Sequence, residues 1–225
     1  MNPFALGPRA IAEFYTARNL RVLVEGRERV PRRGAALLAA RHYHHLYDGS
    51  AILHGLARQP YLFVALDWTR GSFERLVMET VCNLAEWPIA LRGESLAHEP
   101  MTSTGRREAR RYARASLERA AALLRRGELL LVFPEGYPTI DPSGSRKTSD
   151  DAFLPFRPGF AAIVARAERL GSVRVPILPI GLSYDARARR TNVTVRVGEP
   201  VYRDEFASRD ALVATVERSV RALSA

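Results

Sequence analysis

Cysteine, lysine and long apolar runs are nearly missing from this sequence, and each absence excludes something. Cys82 is the only cysteine in 225 residues, so no intrachain disulfide forms and a reducing compartment is expected. It lies in the apolar run 76–82, where a buried, inert thiol is the expected state. Among 34 basic residues only Lys147 is lysine; the others are arginine. No run approaches the ~20 apolar residues of a spanning helix. The longest clean run, residues 35–40, suits a buried strand. Arg9 and Arg18 are followed by no apolar stretch, so no secretory signal is expected. No internal repeat, low-complexity tract or Gly-x-Ser-x-Gly elbow occurs, which counts against a serine hydrolase of the α/β type.

What remains is an arginine-rich, core-forming chain. Apolar residues make up 47% and the formal charge is +10. That charge attracts polyanions, either nucleic acid or the anionic face of a membrane. Hydrophobic periodicity predicts strands over residues 20–24, 34–40, 61–66, 88–91, 128–133, 173–182 and 193–197. It predicts helices over residues 49–56, 73–84, 106–126, 159–170 and 210–223, with a further amphipathic helix within residues 1–19. On that first helix Ile11, Phe14 and Tyr15 share a face, expected to pack on the core, with lipid contact as the alternative. Strands alternating with helices predict one α/β domain over residues 1–225, a mostly parallel mixed sheet flanked by helices.

In such folds, working residues gather where strands run into loops. Two loops meet that description. Residues 41–49 hold His42, His44 and His45, three of the five histidines, followed by Asp48. A carboxylate beside a histidine fixes its tautomer and stabilises the imidazolium formed in base catalysis. Competing readings are Asp48 as a helix N-cap, ordinary surface histidines, and a zinc site. No second Cys/His cluster supports the last, and no metal is expected. The other loop opens with Pro134-Glu135-Gly136 after the strand 128–133. There a glutamate meets a substrate hydroxyl or a cation, or else the Pro and Gly simply make a turn.

The ordered set of motifs resembles the glycerolipid acyltransferase superfamily, the 1-acylglycerol-3-phosphate acyltransferase-like enzymes. His42 with Asp48 is similar to its first motif and residues 89–93 to its second. Phe133-Pro134-Glu135-Gly136 is similar to its third and residues 175–180 to its fourth. The likeness runs from about residue 20 to 200. Two features depart from the family. Its spacing would place the histidine at position 43, which is Tyr43; His42 is favoured because it follows the strand directly, and His44 is the rival. After Gly136 the usual Thr-Arg is replaced by Tyr137-Pro138 and a long loop with Arg146 and Lys147.

The resemblance implies acyl transfer from acyl-CoA or acyl carrier protein to a lysophospholipid hydroxyl, with no bound cofactor. His42 would be the base and Asp48 its orienting partner. Arg92, Pro134, Glu135, Gly136, Arg146 and Pro179 would contact substrate. The single cysteine and the basic surface without a spanning run lead to the expectation of a cytoplasmic protein held peripherally on the inner face of the membrane. Acyl transfer to a non-phosphate lipid or pigment hydroxyl is the alternative within the class. Outside it, the basic segment 106–112 would make a nucleic-acid-binding module, although no nucleic-acid motif is present.

Overall fold

The computed structural model describes all residues except 1–5, 67–68, 70, 91–102, 143, 146, 148–152 and 187–188. The elements in chain order are α1 (Leu6–Asn19), β1 (Leu20–Glu25), β2 (Ala36–Ala40), α2 (Tyr47–Gly55), β3 (Tyr61–Leu62), β4 (Val64–Ala65), α3 (Ser72–Leu84) and β5 (Ile89–Ala90). They continue with α4 (Ser103–Arg125), β6 (Leu129–Val132), α5 (Gly159–Leu170), β7 (Ile177–Asp185), β8 (Thr191–Val197) and α6 (Arg209–Leu223).

Six strands form the main sheet in the order β1-β8-β7-β2-β6-β3. All neighbours are parallel except β7 and β8, which make an antiparallel hairpin. The expected mixed, mostly parallel sheet is what forms. β2 is central, and all five of its residues are buried. Strand side chains alternate between faces, so Leu37 and Ala39 join a core made with α4, α5 and α6. Ala36, Leu38 and Ala40 join the opposite core, with Ala51 and Ile52 of α2. Covering both faces explains why β2 reads as a continuous apolar run.

Three sequence expectations change in detail. The predicted strand 61–66 is two strands. Phe63 N donates to Leu131 O at 2.9 Å, and Val64 N then donates to Pro88 O at 2.9 Å, so the chain leaves the main sheet and pairs β4 with β5 in a second, two-stranded sheet. The strand expected at 173–182 begins at Ile177 and runs on to Asp185. On α1 the core-facing side chains are Ala12 and Thr16, whereas Phe14 is 61% exposed. Thr16 reaches Ser50 O on α2 at 3.5 Å; small residues let the two helices lie close. The Ile11 side chain lies outside the description.

The parallel pairings place the carboxyl ends of β2, β6 and β7 at one end of the sheet. Both candidate loops leave from that end. Cys82 is fully buried, and burial pushes its thiol up to about 11, as expected of an inert packing residue.

Candidate active site

β2 stops at Ala40, and residues 41–46 carry the chain to α2, whose first turn contains Asp48 with no exposed surface. Four donors converge on that carboxylate. Oδ2 lies 2.9 Å from His42 Nδ1, and it accepts from the backbone N–H of Tyr43 at 2.6 Å and of His44 at 3.0 Å. Oδ1 accepts from the Tyr184 hydroxyl on β7. Burial and the neighbouring Asp48 hold the Tyr184 phenol well above its ordinary pKa, so it remains a donor. An ionised carboxylate only accepts. The His42 proton therefore sits on Nδ1, and Nε2 keeps a lone pair. The imidazole also stacks on Phe133 at 4.3 Å between centroids, which fixes the ring plane.

The second loop is tied to the first. Gly136 N donates to Phe133 O at 3.0 Å in a tight turn. Gly136 takes φ 78°, where a side chain is strained, and a Cβ there would meet Arg157 at 3.3 Å. That turn points the Glu135 carboxylate inward, 1% exposed. Its Oε1 accepts from His42 N at 2.8 Å. Its Oε2 accepts from Leu154 N at 3.0 Å and pairs with Lys147 Nζ at 2.7 Å. Lys147 also donates to His42 O, so Glu135 and Lys147 hold the His42 backbone on both sides of its Cα. Burial lowers the Lys147 pKa, and Glu135 opposes that shift. Further along, Ile140 N donates to Tyr43 O at 2.7 Å and His45 N to Ile140 O at 3.1 Å. Arg41, 5% exposed, donates to Leu182 O at 3.0 Å. Two buried cations, Arg41 and Lys147, thus balance two buried carboxylates, Asp48 and Glu135, as a dry site requires.

The family profile described as Acyltransferase matches residues 21–183, a span that includes both loops. This chain belongs to the acyltransferase family. The 1-acyl-sn-glycerophosphate acyltransferase PlsC of Thermotoga maritima shares the fold, with a TM-score of 0.59 over 97% of this chain and 77% of that one, at 21% identity. No curated protein matches. The resemblance read from the motifs therefore holds at the level of family and fold, and the chain is an acyltransferase.

Within this acyltransferase the expected site residues separate. His42 and Asp48 meet through their side chains. His44 does not reach Asp48 by its ring: its Nδ1 accepts from Leu46 N at 3.2 Å and Tyr47 N at 3.3 Å. His44 therefore caps α2, the task that the N-cap reading gave to Asp48. Glu135 was expected to hold the acceptor, but its oxygens are engaged within the protein. Pro134 is buried, and its carbonyl accepts from Arg157 N at 3.0 Å. Pro179 was expected at the substrate, but it is buried in β7 opposite Ala39. Gly136 forms the turn. Arg92 and Arg146 lie outside the described residues. The sequence reading assigned no role to Tyr184, Lys147, Arg41 or Phe133. Lys147 left a signal as the chain's single lysine, and Phe133 as the first residue of the third motif.

Capping sets a pH dependence. Burial, with His45 and His42 nearby, pushes the His44 pKa down to about 4, against the opposing pull of Asp48 and Asp141. The unfolded chain takes up this proton near its ordinary value of ~6.5, and the folded chain only near 4. The contribution of neutral His44 is therefore complete above pH 6.5 and is lost as pH falls towards 4. Replacing His44 with Asn, which caps without titrating, is expected to flatten the loss of urea midpoint between pH 7 and pH 5. An unchanged slope would refute the assignment.

Proposed function

We propose that this acyltransferase moves a fatty acyl group from acyl-CoA or acyl carrier protein to a lysophospholipid hydroxyl, by default that of 1-acylglycerol 3-phosphate. The observation that carries the reading is His42, with Nδ1 held by Asp48 and Nε2 left for the acceptor. His42 Nε2 takes the hydroxyl proton as the hydroxyl oxygen attacks the thioester carbonyl. The tetrahedral intermediate collapses, the C–S bond breaks, and the thiolate leaves with the proton returned from His42. The acceptor is the nucleophile, so no acyl-enzyme forms and no cofactor is needed. Asp48 steadies the imidazolium between the two transfers.

Charge at the reacting end supports a phosphorylated reactant. The β7–β8 hairpin and the start of β1 both lie at that end, because Asp185 pairs with Asn192 and Leu20 with Thr191. A cleft of about 780 Å³ there is lined by Arg18, Asn19, Arg21, Arg189 and Arg190. Guanidinium forks suit phosphate oxygens. In this reading the protein works in the cytoplasm, peripherally on the inner face of the membrane. Among the described residues no helix is long and apolar enough to cross it.

A panel assay tests the reading. Acyl-CoA and acyl carrier protein donors are supplied with 1-acylglycerol 3-phosphate, other lysophospholipids and hydroxylated neutral lipids. Transfer to the lysophospholipids is expected to be fastest. Transfer to neutral hydroxyls alone would replace the acceptor class, and no transfer to any would sink the mechanism.

A further inference from the structure

We propose that α3 seats this protein on an anionic bilayer by entering the lipid interface with an apolar face. The idea rests on the lipid-acceptor reading above. Phe73, Leu76, Val77, Val81 and Leu84 are 80%, 61%, 43%, 40% and 47% exposed. They recur at intervals of three and four residues, so they form one stripe along the helix. The opposite side does the packing: Cys82 and Met78 join a small core with Leu66, Ala85, Trp87 and Ile89. Thirteen residues make a rod of about 20 Å. Isolated exposed apolar residues are ordinary, but a contiguous apolar face on a helix marks an interaction site.

The charge beside the stripe identifies the occupant. α4 lies along α3, joined to it by Tyr112 on Glu79 at 2.6 Å and Arg119 on Asn83 at 2.9 Å. α4 exposes Arg119 beside α3 and, further round, Arg107, Arg110, Arg111 and Arg114, the last at a cleft shared with α5. An apolar stripe bordered by arginines is the pattern of a helix lying in the plane of an anionic membrane. A second copy of the same surface would bring those arginines against one another. The position also suits the chemistry. α3 leads from the carboxyl end of β4 back to the amino end of β5, which are parallel strands. Its first turn, with Phe73, therefore stands towards the end of the sheet where His42 leaves β2. α1, for which lipid contact was the alternative to packing, packs on α2 through Ala12 and Thr16.

The test is flotation with vesicles of equal parts phosphatidylglycerol and phosphatidylcholine, without substrate. Wild type is compared with Leu76→Ser/Val81→Ser and, separately, with Phe73→Ser. Removing a Leu and a Val from apolar burial is expected to lower partitioning by about tenfold or more. The circular dichroism spectrum, the mass in solution and transfer between water-soluble short-chain substrates should be unchanged. Equal binding of wild type and both variants would overturn the proposal, as would a wild type that ignores the vesicles. A dimeric wild type that becomes monomeric in the variants would overturn it in favour of a second copy. Because binding is read without turnover, failure of the lysophospholipid assay with α3-dependent binding intact would sink the acceptor reading and leave this one standing.

Discussion

His42→Ala and Asp48→Ala are each expected to lower kcat/KM for acyl transfer by about 10²–10⁴-fold, the usual cost of losing a positioned general base. The two residues act as one unit. Without Asp48 the His42 ring loses the acceptor that fixes its proton on Nδ1, and the backbone N–H groups of Tyr43 and His44 lose theirs. The Tyr184 hydroxyl is also released. The double variant should therefore be little slower than either single one, since removing half the unit already disables it. His45→Ala should cost clearly less. Its ring is exposed, lies 3.3 Å from Ile140 O and stacks on His44 rather than on His42 or Asp48. Steady-state kinetics on variants with wild-type circular dichroism would decide the point. Additive losses from His42 and Asp48 would separate them functionally.

Lys147→Met is expected to cost about 3–5 kcal/mol in stability, the range for breaking one side of a buried ion pair. Neither partner has exposed side-chain surface, and Nζ lies 2.7 Å from Glu135 Oε2. Among the described residues, the variant leaves a buried carboxylate with the His42 and Leu154 N–H donors alone. Adding Glu135→Gln removes the stranded charge and should recover part of the loss. Activity should fall with stability, because the pair grips the backbone N–H and C=O of the base. Urea denaturation of both single variants and the double provides the coupling. A Lys147→Met loss below 1 kcal/mol would place the ammonium in water and contradict the buried arrangement.

Much of the fold was legible because apolar alternation and helical spacing are local signals. β2 and β6 are short apolar runs between polar loops, and both are buried where expected. The break inside residues 61–66 was not legible: Phe63 and Val64 exchange β6 for β5 as partner, and nothing local records a change of partner. α1 misled because large apolar residues were taken as the packing face, whereas the close approach to α2 uses Ala12 and Thr16. At the site, His42, Asp48 and Glu135 were visible since each stands at or just beyond a strand exit. Tyr184 was not: it lies 136 residues from Asp48 in the chain, beyond residue 182, where the predicted strand ended. Lys147 was conspicuous by type, yet its polar loop reads as solvated, and only the fold reveals that its ammonium meets Glu135. The tandem of Tyr43, His44 and His45 obscured which ring serves; His44 is committed to the start of α2 by two backbone donors that sequence spacing does not show.

The most direct measurement is kcat/KM for acyl transfer by His42→Ala and His44→Ala, side by side with the same donor and acceptor. The expected result is a loss of about 10²–10⁴-fold for His42→Ala and a clearly smaller loss for His44→Ala. A near-wild-type His42→Ala beside an inactive, folded His44→Ala would contradict the assignment of the base.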